Sequence, residues 1–142
     1  MNLTTNFTLE EMTHSATADA HGIDNQPSEA AIRNLAALCE NVLEPLRMDM
    51  GMKPLLINSG YRCYQLNDLI GGKPNSQHLQ GEAADVRADD FKHAKQMLQC
   101  LMVGIDFDQA FIESSGNSYW LHVSYKRNAR LNRREILRLQ RK

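Results

Sequence analysis

The sequence predicts an α+β fold, a central and mainly antiparallel sheet with helices packed on it. Three observations lead there. Two long stretches, Ser28 to Leu46 and Asp90 to Leu101, repeat apolar residues every three and four positions. The short apolar runs that read as strands fall after residue 54, and two of them are separated only by Ser114-Ser115-Gly116-Asn117-Ser118. A single long helix lies between strands, which argues against a doubly wound parallel sheet.

Each element has a local reason. Thr8-Leu9-Glu10-Glu11 fits a capping box, so a short helix starts there. The polar run from His21 to Pro27 reads as a loop. Ser28 caps a helix whose apolar face is Ile32, Leu35, Leu38, Cys39, Val42, Leu43 and Leu46, ended by Gly51 and Pro54. Leu55-Leu56-Ile57 reads as a buried strand closed by Asn58-Ser59-Gly60. A short helix is expected over 64–70, a loop over 71–76 and a short strand from Ala83 to Val86. Asp90 caps the second long helix, with Phe91, Ala94, Met97, Leu98 and Leu101 inward. Residues 107–113 and 119–125 form a hairpin. Asn132 followed by Glu135 suggests a C-terminal helix. Residues 1–125 thus read as one domain, and 126–142 as a basic extension, helical and packed on it.

Composition limits the function. The chain has 142 residues, 42% hydrophobic and 23% charged, which excludes disorder, collagen and coiled coil for the whole. No apolar run approaches the roughly 20 residues of a membrane helix. The first residues show no basic region followed by an apolar one, so no secretory signal is expected. Cys39, Cys63 and Cys100 are odd in number and widely spaced, which suits free thiols in a reducing compartment better than a zinc knuckle. The net charge of −1 hides an asymmetry: residues 126–142 carry eight of the 16 Lys and Arg and a single acid, Glu135. Such a tail can touch nucleic acid, anionic wall polymer or a membrane surface, but a solvated helix face is the plainer reading. No specific nucleic-acid partner is expected, and the chain is taken as a monomer.

The chemistry concentrates in two segments. Ser76-Gln77-His78-Leu79-Gln80-Gly81-Glu82-Ala83-Ala84-Asp85 places a histidine and an aspartate seven apart. Gly81 between them permits a reversal other residues resist. Ala83, small and on the same strand face as Asp85, leaves room beside the carboxylate. In Tyr119-Trp120-Leu121-His122-Val123-Ser124-Tyr125, alternation puts Trp120, His122 and Ser124 on one face. His122 can complete a His/Asp/His set, and three such ligands on zinc leave a fourth position for water. Taken singly, a histidine in such a place is more often structural than a ligand.

Hydrolysis also needs a base, and Glu113, at the end of the strand before the hairpin loop, is the natural candidate. Its face is a question of parity. Pairing Glu113 with Trp120, and Phe111 with His122, makes Glu113 a diagonal neighbour of His122, about 7 Å away at the backbone. Pairing it with Tyr119 turns it to the wrong face. Arg62, in Ser59-Gly60-Tyr61-Arg62, follows a buried strand, where it can stabilise an oxyanion or hold a substrate carboxylate. A Cys63–His78 thiol nucleophile is conceivable, but it leaves Asp85 and His122 without a role.

The string Ser76-x-His78-x-x-Gly81-x-Ala83-x-Asp85, followed by Trp120-Leu121-His122-Val123-Ser124, resembles the signature of the zinc D-Ala-D-Ala carboxypeptidase family. That family includes L-alanyl-D-glutamate endopeptidases of phage lysis systems, vancomycin-resistance dipeptidases and the zinc-binding domain of Hedgehog. Phe7-Thr8-Leu9-Glu10-Glu11, Gly22-Ile23-Asp24-Asn25, Val42-Leu43-Glu44-Pro45-Leu46-Arg47, Ser59-Gly60-Tyr61-Arg62 and Gly71-Gly72 resemble its small phage-associated and bacterial branch.

The resemblance implies a Hedgehog/DD-peptidase-like fold, with residues 1–125 as the zinc peptidase domain. It implies Zn2+ held by His78, Asp85 and His122. Arg62 would bind substrate and transition state, and Ser76 would lie beside the first ligand; apart from the resemblance, Trp120 is a candidate to line the cleft, although an aromatic on a hairpin is just as often packing. Many relatives carry the catalytic glutamate three residues before the last histidine. Tyr119 stands there in this chain, and Glu113 resembles other branches, where the glutamate lies on the preceding strand; Asp106 and Asp108 are weaker substitutes. The implied activity is hydrolysis in peptidoglycan stem peptides, of the D,D-carboxypeptidase or L-Ala-D-Glu endopeptidase type. The implied source is a phage or prophage product, made in the cytoplasm and acting at the bacterial wall after release or within a virion. The competing expectation is a non-catalytic zinc-binding module, structural or wall-binding.

Overall fold

The computed structural model describes residues 1–142. Helices α1 (Leu9–Thr13), α2 (Ala16–Ala20), α3 (Glu29–Leu38) and α4 (Glu44–Asp49) come first, then β1 (Ile57–Ser59) and α5 (Tyr64–Leu69). Next come β2 (Ala83–Ala88), α6 (Phe91–Gly104), β3 (Gln109–Ser115), β4 (Ser118–Ser124), β5 (Glu135–Ile136) and β6 (Gln140–Arg141). The sheet runs β1-β2-β4-β3-β5, with β6 also on β3. The first three pairings are antiparallel, and β5 and β6 join β3 in parallel. This is the expected α+β architecture.

The expected caps are in place. Thr8 and Glu11 make the reciprocal capping box, and the Ser28 and Asp90 side chains accept from Ala31 and His93 N–H. The long first helix is interrupted, however. Residues Cys39–Leu43 form a π turn, and Glu44 N–H donates to Cys39 O. Pro45 follows, has no N–H to give, and is accommodated by the wider turn. Helix α2 had no periodicity to betray it: five residues, one of them buried, held by the Ser15 cap. The strand expected at 55–57 lies at 57–59, because Ile57 and Ser59 are the residues that pair with β2.

One face of the sheet packs on the helices. Val86, Ile112, Leu121 and Val123 meet Leu35, Leu38, Val42, Leu46, Met97 and Leu101 in the main core. Alternation sends Asp85, Phe111, Glu113, Trp120 and His122 to the other face.

The C-terminal helix is not formed. Residues 126–142 run instead as a single 3-10 turn, Ala129–Leu131, and the strands β5 and β6 along the free edge of β3. The cause lies outside the segment. The β3 edge offers carbonyls that a helix could not reach, and the tail answers them: Leu137 N–H donates to Ala110 O and Lys142 N–H to Ser114 O, at 3.0 and 2.8 Å. The tail also has few apolar side chains to bury as a helix, since Leu131 and Ile136 stay exposed.

Candidate active site

His78 is delivered by a 3-10 turn, Gln77–Gln80, capped by Ser76 Oγ, which accepts the His78 N–H at 3.2 Å. Gly81 then reverses the chain at φ 73°, and a β-carbon there would stand 2.5 Å from Ala31 O. That reversal feeds β2, and β2 sets Asp85 directly opposite His122 on β4. The imidazole and carboxylate meet at 3.0 Å, His122 Nδ1 to Asp85 Oδ1, and His78 Nε2 approaches the same oxygen at 3.3 Å. One ligand atom from each of the three residues lies within 4.8 Å of the others.

The surroundings orient these groups. His78 Nδ1 donates to Gly60 O at 2.6 Å, because a carbonyl only accepts, so Nε2 is the ring nitrogen left with its lone pair toward the cluster. Phe111 stacks on His122, centroids 4.6 Å apart. Burial pushes His78 below its ordinary range and keeps the imidazole neutral. Burial pushes the Asp85 carboxyl up, but the positive charge that His78 and His122 take on when protonated, with the hydrogen bond from His122, outweighs it and holds it below the usual carboxylate range.

The donor set fits a zinc ion by an observation independent of spacing. His78 Nε2, in a residue 2% exposed, is buried without a hydrogen-bond partner. An orphaned imidazole nitrogen costs free energy in a protein interior unless something accepts its lone pair. A cation between two neutral imidazoles and a carboxylate does so, and two nitrogens with one oxygen is a ligand set zinc takes.

The cluster opens on a cleft of about 590 Å³, whose lining includes Arg62, Ser76, His78, Glu113 and His122. Glu113 pairs with Trp120 and Phe111 with His122, which is the parity that puts Glu113 on the histidine's face. Its buried carboxylate accepts the Trp120 Nε1–H at 2.8 Å on one oxygen and faces Lys142 Nζ at 3.1 Å on the other. Arg62 N–H donates to His78 O, which ties the two residues together. Burial pushes the guanidinium down against the opposing pull of Asp85 and Glu113. Trp120 stands beside Glu113 and is absent from the lining.

Asp108 belongs to the scaffold. It is 0% exposed, and both oxygens are engaged, by Arg133 Nε and Nη2 at 2.9 and 2.7 Å and by Gln77 Nε2 at 3.1 Å. Gln77 precedes His78, so Asp108 links the ligand-bearing turn to the tail. Asp106 is half exposed and pairs with Arg134. The Cys63 sulfur accepts Leu66 N–H as the cap of α5, while the His78 ring is turned to Gly60 and Asp85. Sequence reasoning missed the Gly60 carbonyl, Asn67 against Arg62, and Lys142 on Glu113. None has a local signal, since each depends on distant segments meeting.

Comparison with known proteins gives two findings. A family model described as Peptidase M15 matches residues 5–124. The zinc D-Ala-D-Ala carboxypeptidase of Streptomyces albus G is 36% identical over 83 residues, 58% of this chain. The match spans 31% of that relative's own length.

Proposed function

Because the chain belongs to the peptidase M15 family, we propose that it is a zinc peptidase that hydrolyses peptide bonds in peptidoglycan stem peptides. The observation that carries this reading is the orphaned Nε2 of His78, buried beside Asp85 and His122 at the floor of a cleft that also holds Glu113 and Arg62. Zn2+ bound by His78, Asp85 and His122 would lower the pKa of a water in its fourth position to about 7 and polarise the substrate carbonyl.

The remaining work falls to the chain itself. Glu113 takes a proton from the attacking water and returns it to the leaving amine. Trp120 and Lys142 each use one carboxylate oxygen, and each oxygen keeps a second lone pair for that proton. Arg62 meets the negative oxygen that develops in the transition state, or a substrate carboxylate, and its burial strengthens either contact. Ser76 holds the His78 turn and borders the substrate. The cleft walls add Lys73, Lys126, Arg133 and Lys142, which suits an acidic peptide.

The bond cleaved is of the D,D-carboxypeptidase or L-Ala-D-Glu endopeptidase type, and the relative's name favours the first. Resemblance to the phage-associated branch makes a phage or prophage lysis enzyme, working as a monomer at the wall, part of the same proposal. No helix is long and apolar enough to cross a membrane. The test is release of stem peptides from purified peptidoglycan by zinc-loaded protein, with Glu113→Gln and His122→Ala alongside and products read by mass. Release abolished by both substitutions is expected, and the masses name the bond. No release from any wall type, with zinc still bound one to one, would favour a non-catalytic zinc module.

A further inference from the structure

Arg62 is the one buried Lys or Arg of the chain, 8% exposed, and part of its guanidinium has no protein partner. Nη1–H donates to Asn67 Oδ1 at 3.2 Å, while Nε–H is buried and unpaired. Asn67 is itself 2% exposed and anchored at its other end, since Nδ2–H donates to Lys73 O at 3.0 Å. The amide cannot swing away from Arg62 without giving up both bonds. Gly72 completes the arrangement: a β-carbon there would overlap Asn67 Oδ1 and stand 3.0 Å from Arg62 Nη1. Asn67, from helix α5, and Gly72, from the turn that follows it, therefore meet at the Nη1 end of the guanidinium.

We propose that Asn67, in the space Gly72 leaves open, is a positioning residue that holds Arg62 by Nη1 and so presents the Nη2 end of the guanidinium, on the wall of the cleft, to an anionic oxygen of the substrate. The inference rests on the peptidase reading for the nature of that substrate. A guanidinium N–H makes a charge-assisted hydrogen bond to a carboxylate or oxyanion, and with Nη1 committed to Asn67 and Nε buried, the Nη2 end is what remains for the cleft. The choice of amide over carboxylate has a physical reason. Aspartate at 67 would also accept from Nη1, but its charge would neutralise the guanidinium and compete with the substrate. Asparagine fixes the geometry and leaves the charge available. Glycine at 72 is required by the same contact, because any side chain there would push the amide off its partner.

The test uses the full chain in two forms, zinc-free and zinc-loaded. In the zinc-free protein, 15N–1H spectra follow the Arg62 Nε–H during titration with N-acetyl-D-alanyl-D-alanine. A discrete Arg62 resonance that shifts with the dipeptide is expected in the wild type. Asn67→Ala and Gly72→Ala are expected to lose that discrete resonance while keeping cooperative unfolding and the Trp120 emission. In the zinc-loaded protein both substitutions should lower kcat/KM about tenfold, and Asn67→Ala should add less than twofold in an Arg62→Ala background. If Asn67→Ala fails to fold, Gly72→Ala carries the test, since it moves the same contact while leaving both hydrogen-bonding groups in the chain. An unchanged Arg62 resonance in the folded variants, or losses that simply add in the double variant, would overturn the proposal. A wild type inert toward stem peptides whose Arg62 resonance behaves as described would sink the peptidase reading and uphold the clamp.

Discussion

Asp108→Asn should cost this protein about 3 kcal/mol, although the substitution conserves volume and opens no cavity. Asp108 is 0% exposed and accepts four hydrogen bonds: from Arg133 N, Nε and Nη2 at 3.0, 2.9 and 2.7 Å, and from Gln77 Nε2 at 3.1 Å. Asparagine keeps one oxygen and turns an NH2 toward donors that already point inward. Breaking a buried charge pair from one side costs roughly 3–5 kcal/mol, and we take the low end because the Arg133 guanidinium is half exposed and can turn to water. For a chain of 142 residues, at about 3 °C per kcal/mol, Tm should fall by about 10 °C.

The pH dependence gives that prediction its sign. Burial pushes the Asp108 carboxyl up, but the hydrogen bonds and charge of Arg133 outweigh it and hold it below the ordinary range. The unfolded chain therefore takes up the proton first as pH falls. Asp108's contribution is whole above about pH 4 and is lost as pH drops from there through the lower folded value. Thermal unfolding of both proteins between pH 7 and pH 2.5 should show a gap that narrows toward the acid end. The tail should also become sensitive to limited proteolysis near Arg130, since Asp108 is what anchors it. A Tm difference under about 2 °C at pH 7, or a gap that does not narrow between pH 5 and pH 2.5, would refute the argument.

Other consequences are as direct. Zn2+ at 100 times its dissociation constant should stabilise the chain by about 2.7 kcal/mol, a rise that EDTA reverses and His78→Ala abolishes in differential scanning calorimetry. Gly81→Ala meets both a positive φ and the Ala31 carbonyl, so it should cost about 2–4 kcal/mol in urea unfolding; an unchanged midpoint would mean the reversal tolerates a side chain. Trp120→Phe keeps an aromatic ring, though a smaller one, and deletes the N–H that holds Glu113. It should lower kcat about tenfold with zinc affinity unchanged by calorimetric titration, and a loss of zinc affinity instead would assign Trp120 to the metal centre.

What could be read from the sequence alone was what neighbours along the chain decide. The caps at Thr8, Ser28 and Asp90 are side chains bonding to backbone three residues on, so they are visible in a four-residue window. The seven-residue spacing from His78 to Asp85 closes through Gly81, again a local matter. Alternation stated the condition on the hairpin, that only odd-sum pairing leaves Glu113 on the face of His122, and the register of the folded sheet met it. What only the tertiary structure decided were pairings whose partners lie far apart. The tail reads as a helix in isolation and becomes strand because β3 offers unpaired carbonyls and Asp108 captures Arg133. Arg62 is visible as a cation after a strand, but its orientation depends on Asn67 and Gly72, brought beside it by α5 and the turn that follows. Propensity and alternation act over a few residues, whereas an open sheet edge or a buried charge recruits whichever distant segment can satisfy it.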